Sequence, residues 1–182
     1  MRLLFIGPPG AGKGTQAEKV AASLGIPHVS TGEMFRDHVS RGTDLGKQVK
    51  AIMEAGDYVP DEITVAMLSE RLSEDDATAG FILDGFPRTE AQVASLDKLL
   101  GDDGLDRVVI LDVGEDELVR RLLARGRADD TEETIRNRFR VYMEQTQPII
   151  DIYSERGLTV SVDGLGEVSE ISERILATID GS

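Results

Sequence analysis

Short runs of apolar residues alternate along the chain with longer amphipathic segments. The apolar runs contain few polar residues, which predicts strands buried on both faces of a sheet, while the longer segments predict helices. The predicted strands cover residues 3–6, 28–30, 81–84, 107–113 and 158–162. The predicted helices cover residues 15–24, 32–40, 45–55, 61–72, 89–100, 115–123, 131–144, 148–156 and 168–179. Strands that alternate with helices indicate an α/β fold, in which a parallel sheet carries helices on both faces.

The chain is predicted to form one domain, because 182 residues suit a single core and no repeat, low-complexity segment or long linker divides it. Between about residues 31 and 59, two extra helices separate consecutive strands, which indicates a small inserted subdomain. No apolar run reaches the roughly 18 residues of a membrane span, and Met1–Ile6 is too short for the apolar core of a signal peptide. We therefore expect a soluble, cytoplasmic protein without a membrane partner.

Charge and cysteine content exclude several classes of function. The formal net charge is −14, which disfavours binding to nucleic acids and to anionic membranes. The chain has no cysteine, which excludes disulfides, thiolate catalysis and thiolate zinc sites. Seven of the fifteen arginines lie between residues 120 and 140, where the local charge is +3. This basic segment is either an anion-binding region or a solvated helix with alternating charges.

A glycine-rich loop, Gly7–Thr15, follows the first predicted strand and precedes the first predicted helix. This is the context of a Walker A loop, whose backbone N–H groups and helix N-terminus surround phosphate oxygens. Lys13 stands where the lysine of such a loop reaches the β- and γ-phosphates. The sequence departs from the common pattern at Gly14, which separates the lysine from Thr15. The loop predicts a site for a nucleoside triphosphate.

Asp84 ends the predicted strand 81–84, and the carboxyl ends of parallel strands are where such folds bind ligands. A carboxylate at that place can hold Mg²⁺ directly or through water. The alternative is an aspartate that only caps a turn or a helix.

Four motifs together give a family resemblance. They are Gly7–Thr15, Ser30–Arg36, Asp84–Arg88, and Gly126–Asp130 followed by Arg138. In this order and at these spacings they resemble the adenylate kinases of the nucleoside monophosphate kinase family, over essentially the whole chain. The resemblance implies a P-loop NTPase-type parallel sheet with small AMP-binding and lid subdomains. It also implies reversible, Mg²⁺-dependent phosphoryl transfer from ATP to AMP, which gives two ADP by direct in-line transfer without a covalent intermediate.

The resemblance also divides the chain. It implies a core of residues 1–29, 60–124 and 135–182, an AMP-binding insertion at about 30–59, and a short lid at about 125–134. The lid insertion of roughly thirty residues found in longer family members is missing, as are the cysteines of their zinc variants. We therefore expect the short-lid form, no zinc, and a monomer.

Site residues are implied by the same resemblance. Those for ATP are Gly10, Ala11, Gly12, Lys13, Gly14, Thr15, Arg121, Arg125 and Gly166. Those for AMP are Thr31, Arg36, Asp57, Tyr58, Val59, Gly85, Phe86, Pro87, Arg88, Gln92, Arg127 and Arg138. Those for phosphoryl transfer are Lys13, Arg88, Arg125, Arg127, Arg138 and Asp84. Mg²⁺ is expected to be held by the ATP phosphates and by water. Asp84 is expected to contact that water rather than the ion. Asp129 and Asp130 either orient the lid arginines or cap the next helix.

The residue chemistry agrees with direct transfer. Arginine and lysine side chains can neutralise two polyphosphates, and the planar guanidinium binds phosphate oxygens through two N–H groups. No covalent nucleophile stands out, because His28 and His38 are isolated in the sequence and are expected to have ordinary surface or packing roles. Thr31 and Gln92 favour AMP over UMP or CMP, since kinases for those pyrimidine nucleotides usually have alanine and asparagine there. A different class, a P-loop switch that phosphorylates no second substrate, is the competing hypothesis.

Overall fold

The computed structural model describes residues 1–127 and 131–180, and its centre is a five-stranded parallel sheet. The strands are β1 (Arg2–Ile6), β2 (His28–Ser30), β3 (Phe81–Asp84), β4 (Arg107–Asp112) and β5 (Thr159–Asp163). Their order across the sheet is β2-β3-β1-β4-β5, and all four pairings are parallel. The predicted α/β class and the position of every predicted strand are confirmed.

Helices cover both faces of this sheet. They are α1 (Lys13–Leu24), α2 (Thr31–Ser40), α3 (Asp44–Ala55), α4 (Asp61–Leu72), α5 (Glu90–Leu100), α6 (Glu115–Arg125), α7 (Glu132–Val141), α8 (Gln147–Glu155) and α9 (Val168–Asp180). Single turns of 3₁₀ helix at Asp75–Ala77 and Gly101–Asp103 were not predicted. None of these helices, within residues 1–127 and 131–180, has the length and apolarity needed to cross a bilayer.

One predicted helix break is wrong. The sequence predicts separate helices over 131–144 and 148–156, with a gap at residues 145–147. Instead, a π-helical segment at Tyr142–Thr146 joins α7 to α8 without interruption. Pro148 lies in the first turn of α8, and the wider π turn before it accommodates the missing donor. A single helical rod therefore runs from Glu132 to Glu155.

Burial on both sides of the sheet confirms the prediction from the apolar runs. Leu3 and Phe5 face one side and pack with residues of α1 and α9. Leu4 and Ile6 face the other side and pack with residues of α4, α5 and α8. A small cluster joins Phe35, Val49 and Val59 of the inserted segment to Met67 of α4. The insertion therefore packs on α4, and it follows the carboxyl end of β2, which pairs with β3.

Candidate active site

The glycine-rich loop joins β1 to α1. Gly10 and Gly12 have φ values of +87° and +91°, which favour glycine. A Cβ atom at Gly10 would also approach the Leu118 carbonyl oxygen to 2.9 Å. Lys13 Nζ donates to the carbonyl oxygens of Gly7 (2.7 Å) and Pro8 (3.1 Å). The loop thus holds its lysine over a helix N-terminus, which is a geometry suited to phosphate.

A buried charge cluster lies beside the loop. Burial lowers the pKa of Lys13 to about 8, and the charges of Arg88 and Arg125 add to this effect against the opposing charge of Asp84. Burial alone would raise the pKa of Asp84, but contact with His28 and the charge of Lys13 outweigh it, and the pKa lies below its usual value. Asp84 is therefore an ionised carboxylate at the carboxyl end of β3.

His28 is not isolated, contrary to the sequence interpretation. Its Nε2 lies 3.6 Å from Asp84 Oδ2, because β2 pairs with β3. Burial alone would lower the pKa of His28, but the Asp84 carboxylate outweighs burial, and the charges of Glu33 and Glu18 add to it, so the pKa is raised. His28 and Asp84 lie on different strands and are 56 positions apart, so the pattern of apolar and polar residues gave no indication of their contact.

The Gly85–Arg88 turn organises the next part of the site. The Gly85 carbonyl oxygen accepts hydrogen bonds from Thr31 Oγ1 (3.0 Å) and Arg88 Nε (2.6 Å). Gly85 has a φ of +86°, and a Cβ atom there would lie 2.9 Å from Thr31 Oγ1. Phe86 points away from this turn into the core and is buried. The turn therefore fixes one edge of the Arg88 guanidinium and leaves its terminal N–H groups toward the cavity.

Arg88 is also held from its other side. Its guanidinium carbon lies 4.8 Å from the centre of the Tyr58 ring, within cation–π range. The Tyr58 hydroxyl contacts Thr146 Oγ1 at 2.6 Å, and Thr146 Oγ1 donates to the Arg88 carbonyl oxygen at 2.9 Å. Thr146 belongs to the π-helical segment, and sequence reasoning missed it because no motif surrounds it.

Gln92 is buried, with two hydrogen bonds that fix the orientation of its amide. Its Oε1 accepts from the Arg88 backbone N–H at 2.7 Å, and its Nε2 donates to Asp61 Oδ1 at 2.6 Å. A backbone N–H can only donate, so the oxygen must face Arg88. One N–H and one lone pair of the amide remain for a ligand. Asp61, which holds this amide, was not predicted.

The end of α3 and the residues that follow it contact α7. Thr134 Oγ1 donates to the Glu54 carbonyl oxygen at 2.9 Å. Asn137 Nδ2 donates to the Ala55 carbonyl oxygen at 2.9 Å and to Asp57 Oδ1 at 2.8 Å. Carbonyls in the last turn of a helix lack partners within it, so α7 satisfies acceptors that the end of α3 leaves open. Neither Thr134 nor Asn137 carried a sequence signal.

Arg121 connects the phosphate loop to the loop after β5. Its two terminal nitrogens donate to the carbonyl oxygens of Ala11 (3.3 Å) and Gly164 (2.9 Å). Its Nε donates to Glu117 Oε1 at 2.6 Å. Gly166 lies two residues beyond Gly164 but does not line the central cavity. The planar face of Arg121 is thereby set at one end of the site.

These parts surround a cavity of about 430 Å³. Its lining contains seven basic side chains, from Lys13, Arg36, Arg88, Arg121, Arg125, Arg127 and Arg138. Three acidic side chains line it as well, from Glu33, Asp57 and Asp84. The cavity brings together every predicted site residue except Ala11, Phe86 and Gly166. Asp129 and Asp130 lie outside the described residues, so their predicted role is untested.

Comparisons with known proteins agree with this geometry. The family model described as "Adenylate kinase" matches residues 5–158. The chain is 56% identical over 186 residues to an adenylate kinase of Clavibacter michiganensis subsp. michiganensis, which covers 99% of this chain and 93% of the relative. It is 53% identical over 185 residues to an adenylate kinase of Thermobifida fusca, covering 98% of each chain. It is 51% identical over 187 residues to an adenylate kinase of Stenotrophomonas maltophilia, covering 100% of each.

Proposed function

Since this chain belongs to the adenylate kinase family, we propose that its central cavity binds ATP and AMP side by side and that the lining residues carry the reaction. The chain is an ATP:AMP phosphotransferase, which converts ATP and AMP reversibly into two ADP. The proposal concerns which residues bind each nucleotide and how they promote transfer. A monomeric state, a cytoplasmic location and a short lid at about 125–134 remain predictions.

The proposal rests on the charge of the cavity lining, which is opposite in sign to the net charge of the whole chain. Seven basic and three acidic side chains face the cavity, whereas the whole chain has a net charge of −14. Concentrating cations in a cleft of an acidic protein costs folding free energy through mutual repulsion, and a polyanionic ligand relieves it. ATP and AMP, with four phosphates between them, match this charge. A switch that binds one nucleotide needs fewer cations.

The donor side consists of the phosphate loop. Gly10, Gly12 and Gly14 expose backbone N–H groups, and Lys13 exchanges its two loop carbonyls for phosphate oxygens when ATP binds. Arg121 supplies a flat guanidinium, held by Ala11 and Gly164, on which the donor adenine stacks. The loop and Arg121 together hold both ends of ATP.

The acceptor side consists of the inserted subdomain and the Gly85–Arg88 turn. Arg88, fixed by Gly85 and Tyr58, binds the AMP phosphate through two N–H groups. Gln92 presents one donor and one acceptor to the edge of the adenine, and a base with the reversed pattern leaves those buried groups unpaired. The fixed amide of Gln92 thus favours AMP.

Transfer between the bound nucleotides needs positioning and charge neutralisation rather than a covalent residue. An oxygen of the AMP phosphate attacks the γ-phosphorus of ATP in line, and ADP leaves as the bond to its β-phosphate oxygen breaks. Arg125, Arg127 and Arg138 line the cavity together with Lys13, and we assign them to the charge that develops on the transferred group. Closure of the cavity excludes water, which would otherwise accept the phosphoryl group.

The residues present fit a magnesium ion. Asp84 is an ionised carboxylate, and the hydroxyl-bearing Thr15 lines the same cavity, so both offer the oxygen ligands that Mg²⁺ prefers. When bound with ATP, Mg²⁺ neutralises phosphate charge. Asp84 would hold it through water, and Lys13 keeps that carboxylate ionised.

A coupled assay for ADP tests this proposal, with Mg·ATP and each of AMP, GMP, CMP and UMP in turn. We expect fast ADP formation with AMP and little with the others. Lys13→Met should lower turnover by orders of magnitude, whereas Lys19→Met, an exposed lysine on the same helix, should not. Equal turnover in the two variants would refute the donor-site assignment. Activity with CMP or UMP would refute the assignment of Gln92.

A further inference from the structure

Three side chains with metal-binding atoms meet beside the central cavity, and the proposed reaction assigns a catalytic or nucleotide-binding role to none of them, although Glu33 also lines the cavity. They are Glu18 on α1, His28 at the start of β2 and Glu33 on α2, and one ligand atom of each lies within 4.8 Å of the other two. Three separate elements contribute one residue each. The arrangement therefore depends on the fold and not on a local run of acidic residues.

The two ring nitrogens of His28 lie in different surroundings. Nε2 is buried without a hydrogen-bond partner and lies 3.6 Å from Asp84 Oδ2. Within residues 1–127 and 131–180, Nδ1 makes no hydrogen bond. Unlike Nε2, it is not buried, so it keeps contact with solvent. The side chain as a whole is only 9% exposed, so the ring is held in place.

This environment selects one tautomer of the neutral ring. With its proton on Nε2, the imidazole donates toward the Asp84 carboxylate and presents a lone pair at Nδ1. A carboxylate behind the distal nitrogen is the usual partner of a metal-binding histidine, because it fixes the ring and raises the basicity of the ligating nitrogen. The ring of His28 is therefore oriented as in a metal-binding histidine, and its Nδ1 atom is exposed.

The two glutamates supply uncompensated negative charge. Both side chains are exposed, and neither has a lysine or arginine within ion-pair distance in the described part of the chain. Each places a carboxylate oxygen within 4.8 Å of the ligand atom of His28, which is near enough for one cation to contact all three side chains after small movements. Flexible glutamates can close from 4.8 Å to the roughly 3.3 Å that separates ligands placed about 2 Å from a tetrahedral ion.

We propose that Glu18, His28 and Glu33 form a binding site for a divalent transition-metal ion, with Zn²⁺ as the best chemical match. One imidazole with two carboxylates suits zinc and its neighbours, whereas Mg²⁺ prefers oxygen ligands alone. Three protein ligands leave a coordination position for water. The ion would join the core, through α1 and β2, to the inserted subdomain, through α2. This site is separate from the thiolate zinc sites that the cysteine-free sequence excludes.

Calorimetric titration of the metal-free chain with zinc chloride, without nucleotide and near neutral pH, tests the proposal. We expect one ion per chain in the unaltered protein. His28→Gln and Glu33→Gln should each weaken binding by at least about tenfold. The chain offers matched controls: His38→Gln removes the other histidine, and Glu70→Gln removes an exposed glutamate on another helix. Both controls should bind zinc as the unaltered chain does.

A second measurement separates coordination from a folding defect. In ¹⁵N spectra of the histidine rings, zinc should shift Nδ1 of His28 and leave Nε2 protonated, while His38 is unaffected. Glu33→Gln alters an exposed side chain, so it tests the site even where His28→Gln is unstable. Absence of saturable binding at millimolar zinc would overturn the proposal. Unchanged binding in Glu33→Gln, or loss of binding in His38→Gln, would overturn it as well. None of these three outcomes would affect the proposed kinase reaction, because its assay contains magnesium and no zinc.

Discussion

Raising the pH should weaken ATP capture by removing a proton from Lys13. In the free protein burial lowers the pKa of this lysine to about 8, well under the value of an exposed lysine. Below that pH the ammonium is available for the phosphates, and above it the neutral amine predominates. Bound phosphates favour the charged form, so the pKa in the ATP complex lies higher. ATP binding above pH 8 must then be accompanied by proton uptake.

The magnitude follows from the titration. With a pKa of about 8, half of the free molecules carry charged Lys13 at that pH, and about one in eleven does so one pH unit higher. Because kcat/KM reports ionisations of the free enzyme, kcat/KM for ATP should fall about tenfold per pH unit above pH 8. By contrast, kcat reports the complex and should stay level in this range. The second pKa of a phosphate group is about 6, so the phosphates of the substrates are already ionised above pH 8.

The assay is steady-state ADP formation between neutral pH and pH 10 with AMP saturating and Mg·ATP varied. Lys13→Arg is the control, because a guanidinium keeps its charge throughout this range. Its kcat/KM should be lower but independent of pH. A profile for the unaltered chain that stays level up to pH 10 would refute the reasoning, as would a bend near pH 8 that persists in Lys13→Arg.

Three further predictions follow from contacts at and around the site. Asn137→Ala removes the hydrogen bonds that hold the inserted subdomain against α7; at about 1 kcal/mol, KM for AMP should rise about fivefold while KM for ATP stays the same. Asp61→Ala removes one of the two hydrogen bonds that orient the amide of Gln92, so discrimination of AMP from GMP should fall in the ADP assay. Tyr153→Phe removes a buried hydroxyl that has no hydrogen-bond partner within residues 1–127 and 131–180, so it should raise the free energy of unfolding in urea by about 1 kcal/mol.

Neighbouring substitutions serve as controls for the first two predictions. Arg136→Ala on α7 and Glu62→Gln on α4 alter exposed side chains beside the residues in question and should leave the kinetic constants unchanged. An equal rise of KM for both nucleotides in Asn137→Ala would contradict the assignment to the inserted subdomain. A drop in unfolding free energy for Tyr153→Phe would show that the hydroxyl has a partner in solution.

Features contained in one stretch of sequence could be predicted, and features that join distant stretches could not. The strand Leu3–Ile6 and the loop after it are contiguous, so apolar residues and glycine spacing reveal them. Thr146 and Asn137 act through backbone carbonyls more than 50 positions away, and a carbonyl is present at every residue. Their roles therefore leave no trace in residue type.

The same distinction explains His28 and the helix break. The contact of His28 with Asp84 follows from the pairing of two strands that the chain connects through the whole inserted subdomain. The gap predicted before Pro148 is wrong, because the chain passes through residues 142–146 as a wider helical turn that the sequence pattern does not indicate. The family resemblance supplied most cavity-lining residues, and two of its four motifs lie on the loops that follow β1 and β3.

The uninterrupted rod from Glu132 to Glu155 has a mechanical consequence. Its last turns are anchored in the core by Ile149 and Tyr153, and its first turns hold the inserted subdomain through Thr134. The π-helical segment divides it into a fixed base and a lever arm, α7, of roughly 15 Å. A tilt of about ten degrees at that segment would move the far end by roughly 3 Å, more than a hydrogen bond can stretch. A small bend beside the cavity would therefore be enough to break the contacts between α7 and the inserted subdomain.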